Sequence, residues 1–231
     1  MFLKLTAMQG FSQRTVALIG EESYQKLKNS KVLIVGLGGV GGFVAEFLAR
    51  AGIENMTLVD GDDVEQTNLN RQIIATCDTV GMAKTEALSK RLTTINPDIR
   101  LDCKKTRFNQ NTVDEIFDKG YDFIIDAIDS VADKVLLIIT AKQKNIPVVC
   151  AMGTGNRFDI PSFEVKDIFK TENDGLAKVV RKKLRENQIK DVPCVCAKSN
   201  SHRVDGVIGS ISYYPAACAS VIAAFVVNKL I

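Results

Sequence analysis

A C-x-x-C pair is missing from this 231-residue chain, although it holds six cysteines: Cys77, Cys103, Cys150, Cys194, Cys196 and Cys218. That absence removes the paired-thiolate framework of a structural zinc site, so no zinc is expected. The scattered thiols read as reduced small hydrophobes, and the protein as cytoplasmic. The start MFLKLTAMQGF lacks the arrangement of a cleaved signal. An excess of charge is missing too. A formal net charge of +3 does not announce nucleic acid, so any RNA affinity must come from a local patch, and no DNA partner is expected. The chain also lacks a long apolar run. Tyr213 to Val227 falls short of the roughly 20 residues that a spanning helix needs and contains Pro215, which points to a buried C-terminal helix rather than a membrane span. Repeats and low-complexity linkers are absent. At 46% hydrophobic residues the chain can bury a full core.

What is present is an alternation of strand-like and helix-like segments. Strands are expected at Lys31 to Gly36, Asn55 to Asp60, Ile99 to Lys104, Tyr121 to Ala127 and Ile146 to Ala151, with helices at Gly39 to Ala51, Ala83 to Ile95, Gln110 to Lys119 and Val131 to Lys144. This order predicts an α/β, Rossmann-like, doubly wound and mainly parallel sheet with helices on both faces. After Met152 the pattern changes to short antiparallel strands, a basic helix and the segment VPCVCAKS. One domain is expected over 1–231, with an N-terminal helical arm (1–30), a nucleotide-binding part (31–153) and a substrate-specific elaboration ending in a helix (154–231).

The run VLIVGLGGVGG puts Gly36, Gly38 and Gly41 in the spacing G-x-G-x-x-G, with Gly39 between them. Such a turn lets the backbone approach phosphates at a helix N-terminus. Asp60 ends the next strand, where a carboxylate accepts hydrogen bonds from a ribose. The loop DGDDVEQTNLNRQ then crowds Asp62, Asn68, Arg71 and Gln72 together, and Lys84 stands where a helix should begin. A pyrophosphate is held largely by backbone amides; a triphosphate calls for the added cations, Arg71 and Lys84, and a divalent metal. IIDAIDS places Asp126 and Asp129 at the carboxyl edge of the sheet. Either one or both hold Mg²⁺, or Asp129 or Ser130 merely caps the following helix.

These residues carry a resemblance. From Phe11 to about Gly153, through FSQRTVALIG, VGLGGVGG, LVDGDDVEQTNLNRQ, TVGMAKTEAL, INP and DAIDS, the sequence resembles the ubiquitin-activating-enzyme-like adenylyltransferases (the ThiF/MoeB type). Over nearly the whole chain, through NLNRQ, FIIDAIDSVADK, MGTGNRFD, KDIFKT and LAKVVRKKLRENQI, it resembles the tRNA threonylcarbamoyladenosine dehydratases. The resemblance implies that Asp60 holds the ATP ribose, that Asn68, Arg71 and Lys84 hold the phosphates, and that Asp129 binds Mg²⁺. It further implies that Arg14 reaches the phosphates of a neighbouring subunit, making a homodimer. The implied reaction is ATP-dependent adenylation of the threonylcarbamoyladenosine carboxylate in tRNA, near the anticodon, followed by cyclising dehydration.

The basic helix gives the resemblance a surface to work with. Lys178, Arg181, Lys182 and Arg185 fall at i, i+3, i+4 and i+7, a stripe of like charge that a polyanion would relieve. The alternative for the stripe is a solvated face. His202 and Arg203 lie in a loop, available to RNA or merely exposed; Lys104, Lys105 and Arg107 are assigned to solvent. Two competing functions stand beside the cyclase. One is an adenylyltransferase for a ubiquitin-like sulfur carrier, disfavoured by the missing zinc pairs; the other is a nicotinamide-binding module, which leaves Asn68, Arg71, Lys84 and Asp129 without work.

Overall fold

In the computed structural model, which describes residues 10–202 and 206–231, the apolar run after Lys31 becomes a strand buried on both faces. This is β1 (Lys31–Val35), and an unbroken apolar run suits a strand with helices above and below it. Before it come α1 (Gln13–Ile19) and α2 (Glu21–Asn29). Then follow α3 (Gly41–Ala51), β2 (Asn55–Val59), α4 (Lys84–Ile95), β3 (Arg100–Lys104), α5 (Val113–Ile116), β4 (Phe123–Asp126), α6 (Val131–Gln143) and β5 (Val148–Ala151). The chain ends with β6 (Phe163–Asp167), α7 (Gly175–Glu186), β7 (Pro193–Ala197) and α8 (Tyr213–Leu230).

The strands form one sheet in the order β3-β2-β1-β4-β5-β7-β6, parallel throughout except that β6 runs antiparallel to β7. From β1 the chain winds outward through β2 and β3, then returns to the other side of β1 at β4. The switch point therefore lies between β1 and β4, and the loops that follow these two strands face one another across a crevice. Side chains alternate across the sheet. Val32 and Ile34 join Leu48, Leu88 and Ile222 in one core; Leu33 and Val35 join Ile116, Ile138 and Leu184 in the other.

Three expectations change in detail. The helix expected over Gln110 to Lys119 shrinks to α5, because Asn109 and Thr112 spend their side chains on local backbone bonds (Thr112 Oγ1 accepts from Asn109 N–H at 3.0 Å, Asn109 Oδ1 from Asn111 N–H at 2.8 Å). Beyond Met152 there is one antiparallel strand, β6, rather than several, and its partner β7 is the cysteine segment itself, which also pairs in parallel with β5. Finally, the C-terminal helix extends to Leu230. Its mean hydropathy of 1.3 over 18 residues is high enough for a membrane span, but Tyr214, Cys218, Ile222 and Val226 are buried in the core beside α3. Pro215 sits in its first turn, where a backbone N–H has no helical partner to lose.

Candidate active site

The crevice begins at the glycine turn. Gly36 has φ +87°, and a Cβ there would lie 2.6 Å from the Ala127 carbonyl oxygen; one on Gly41 would lie 1.8 Å from the Gly36 oxygen. Both positions exclude any side chain, so the turn after β1 folds tightly onto itself and against the loop after β4. Gly38 is different. A Cβ on it would meet only Gln72 Nε2, at 3.8 Å, so its surface is an open floor. Gln72 is buried, and its Oε1 has no hydrogen-bond partner among the described residues. An orphaned buried acceptor beside a bare glycine floor fits a crevice completed by a ligand.

Asp60 ties this turn to the next loop. Its Oδ2 accepts from Leu37 N–H at 2.7 Å and its Oδ1 from Asp62 N–H at 2.9 Å, which leaves lone pairs on both oxygens for ribose hydroxyls. Lys84 heads α4 as expected. It is 7% exposed, with its ammonium 3.0 Å from Asp62 Oδ2 and 3.9 Å from Asp60 Oδ1. A cation at a helix N-terminus opposes the helix dipole, and the two carboxylates offset that. Asn68 is buried inside its own loop, where its Oδ1 accepts from Glu65 N–H at 3.1 Å. Arg71 is half-buried and lies across Gly39; its Nη1 donates to Thr67 O at 2.8 Å and Asn70 Oδ1 at 2.9 Å. Asn70 in turn donates to Ser210 O at 3.1 Å, so the segment before α8 forms a wall beside the phosphate loop.

At the end of β4 the two aspartates part company. Asp126 is fully buried, its Oδ2 2.7 Å from Lys134 Nζ and its Oδ1 accepting from Ile128 N–H at 3.1 Å. It cannot also face a metal in the crevice. Strand alternation turns Asp126 to the same side as Ile124, under α6, and of the two open alternatives this leaves Asp129 alone facing the crevice. Asp129, three residues on, is exposed. Ser130 occupies the N-cap of α6 and makes no side-chain cap bond. The free carboxylate of Asp129 at the crevice edge fits Mg²⁺, which is held by one or two carboxylates together with substrate phosphates and water.

Other expected residues stand apart from the crevice. Arg14 is exposed on α1, which packs on α2. In the basic stripe, Lys178 and Lys182 are exposed, whereas Arg181 donates to Thr171 and Arg185 lies over the Phe169 ring at 5.5 Å, so half the stripe is committed to the protein. His202 stacks on Phe158 with ring centroids 4.4 Å apart; Arg203 lies outside the described residues. Cys150, Cys194 and Cys196 are buried side by side on β5 and β7, and burial pushes the Cys150 thiol well above its ordinary range. Sequence reasoning missed Arg157, which is 4% exposed with Nε and Nη1 unpartnered among the described residues; a lone arginine in a glycine-rich loop gave no signal of burial. A cavity of about 320 Å³ opens at the amino edge of the sheet, lined by Lys31, Asn55, Arg100 and Lys119. The glycine turn, Asp60, Arg71, Lys84 and Asp129 lie at the opposite edge, where open α/β sheets bind ligands, so the crevice is the candidate site.

The ThiF family profile matches residues 12–231. The chain belongs to the ThiF family. Among ThiF relatives it is 43% identical over 180 residues to the tRNA threonylcarbamoyladenosine dehydratase of Bacillus subtilis, covering 78% of this chain and 70% of that one. It is 40% identical over 173 residues to the Escherichia coli protein of the same name, covering 75% of this chain and 65% of that one. The chain thus spans about two thirds of the length of these curated relatives. A crystal structure of the E. coli tRNA N6-threonylcarbamoyladenosine dehydratase in complex with ATP superposes with a TM-score of 0.92 at 34% identity, over 97% of this chain and 95% of that one. The family resemblance carried by VGLGGVGG, LVDGDDVEQTNLNRQ and DAIDS is borne out.

Proposed function

We propose that this protein is an ATP-dependent tRNA threonylcarbamoyladenosine dehydratase acting as a single unit, with 31–153 binding ATP and 154–231 shaping the tRNA side. The observation that carries the reading is the pairing of a ThiF-type crevice with sequence kinship to the dehydratases. In that crevice the Gly36–Gly41 turn cradles the phosphates, Asp60 holds the ribose, and Lys84 and Arg71 offset triphosphate charge. Asn68 keeps the loop that presents Arg71 in shape, and Gln72 closes the floor. Asp129 would hold Mg²⁺, which supplies further charge neutralisation on the phosphates. The substrate carboxylate attacks the α-phosphorus and pyrophosphate leaves, giving an acyl-adenylate. The carbamoyl group of the same side chain then attacks the activated carbonyl, AMP leaves, and the carbamoyl proton passes to solvent. Closing a ring within one side chain needs no protein nucleophile.

Arg14 completes the site from a second copy of the chain, and Lys178 and Lys182 meet the tRNA backbone in the cytoplasm. The test is mass analysis of nucleosides after incubation with ATP, Mg²⁺ and tRNA bearing the modification. Loss of one water from threonylcarbamoyladenosine, abolished in Arg71→Ala and in Asp129→Ala, is expected; folded wild-type protein that leaves the nucleoside intact overturns the reading. Arg14 is tested separately by mixing Arg14→Ala with Asp129→Ala protein. Activity returns if the arginine acts across the dimer, because one site in each mixed pair is then intact, and stays absent if it acts within its own chain.

A further inference from the structure

The mechanism leaves Asp126 and Lys134 unused, yet no other pair of opposite charges among the described residues is so completely enclosed. Both side chains are 0% exposed and their charged atoms are 2.7 Å apart. The pair reaches three elements. Asp126 ends β4, Lys134 lies in the first turns of α6, and the same ammonium donates to Ala151 O at 3.1 Å, at the end of β5. The second carboxylate oxygen holds Ile128 N–H, inside the loop that separates β4 from α6.

That loop forms the far wall of the crevice. Its first residue, Ala127, lies against Gly36 so closely that no Cβ fits between them, and its third, Asp129, offers the free carboxylate. Its exit has no side-chain cap: Ser130 makes no cap bond, and only its carbonyl is held, by the Lys134 N–H at 3.0 Å. Nor does packing of β4 on α6 require charges, since Ile124 and Ile138 already meet in the core there. A buried ion pair is commonly no more stable than apolar side chains of similar volume, so stability alone does not account for one at this place.

We propose that the Asp126–Lys134 pair is a clasp that positions the β4–α6 loop, setting Asp129 and the wall of the glycine turn for the nucleotide. It rests on the ATP site proposed above and assigns both residues a positioning role with no contact to substrate. The pair fixes the loop in the free protein, before any nucleotide arrives.

The decisive variant is the full chain carrying Asp126→Val together with Lys134→Met, which removes both charges and keeps an apolar core. It is expected to melt within a few degrees of wild type. Its amides at Ile128 to Val131 are expected to exchange with solvent at least about tenfold faster, and ATP turnover with modified tRNA to fall by about 10²-fold with the KM for tRNA unchanged, as loss of positioning dictates. A folded double variant with wild-type exchange and turnover within threefold of wild type overturns the clasp. Should the double variant fail to fold, hydrogen exchange on wild-type protein decides. Protection of Ile128 to Val131 without ATP, little changed by adding it, supports the clasp; fast exchange that slows only on ATP binding overturns it. Exchange is read without tRNA, so a wild-type protein with a protected loop and no dehydratase activity would sink the proposed function and leave the clasp standing.

Discussion

Two buried lysines pair with aspartates at the carboxyl edge of this sheet, one where β2 ends and one where β4 ends, and they differ in how they are held. Lys84 is shared between Asp60 at 3.9 Å and Asp62 at 3.0 Å, and the Asp62 side chain is 56% exposed. Lys134 is held at 2.7 Å by an Asp126 that water does not reach. The first ammonium is held most closely by Asp62, a carboxylate that solvent can take over, so it is free to turn to a phosphate. The second is locked, and burial pushes the Asp126 carboxyl up while Lys134 and the Ile128 N–H draw it back. A buried charge is therefore not in itself a mark of chemistry; what matters is whether its partner can let go.

The sharpest way to break this contrast is to remove each lysine in turn. Lys134→Met alone strands a buried carboxylate and should cost about 3–5 kcal/mol, a fall of roughly 10 °C or more in the melting temperature read by calorimetry. Lys84→Met should leave the melting temperature nearly unchanged and lower turnover by about 10²–10³-fold, measured as AMP release with modified tRNA. If the two effects were exchanged, the assignment of roles would be reversed. A third group lies between these extremes. Glu46 is desolvated, which raises its pKa, but Arg91 and Arg50 outweigh that and hold the carboxyl below its usual range. A depressed folded-state value means the stabilisation is complete above the ordinary carboxylate range and is lost as pH falls through the folded value. Melting temperatures followed from pH 6 down to about pH 3 should show that loss, and Arg91→Met should flatten it. The smallest effect belongs to the exposed pair Lys90–Glu86, where Lys90→Ala should change unfolding free energy by less than about 0.5 kcal/mol in urea titration.

Much of this was legible in the amino-acid sequence where period and turn chemistry speak for themselves. The strands at Val32 and Ile124 are continuous apolar runs, that at Met56 is broken only by Thr57, and the glycine spacing foretold the tight turn at Gly36 and Gly41. Lys84 began its helix where expected. Whether Asp126 shares a task with Asp129 stayed open in the sequence because the two are three residues apart; the structure sends the two carboxylates in different directions. A lysine eight residues on was the available signal, since α6 folds back over β4 and brings Lys134 above Asp126. Outside α7, the described residues between Gly153 and Ser212 were hardest to read. Their order comes from contacts distant in sequence, such as Gly209 N–H to Asn156 Oδ1 and Gly153 N–H to Asp174 Oδ2, which leave no local period.

The position of α8 has a consequence for how the protein is made. This helix lies far beyond the glycine turn in the chain, yet it packs on α3, and Pro215 in its first turn abuts Gly39 in the glycine turn. On a ribosome the glycine turn emerges well before α8, so the core beneath it stays open until that helix follows. The nucleotide site would therefore mature only once α8 has emerged, and a chain cut short before Tyr213 would present an exposed apolar face in place of a binding crevice.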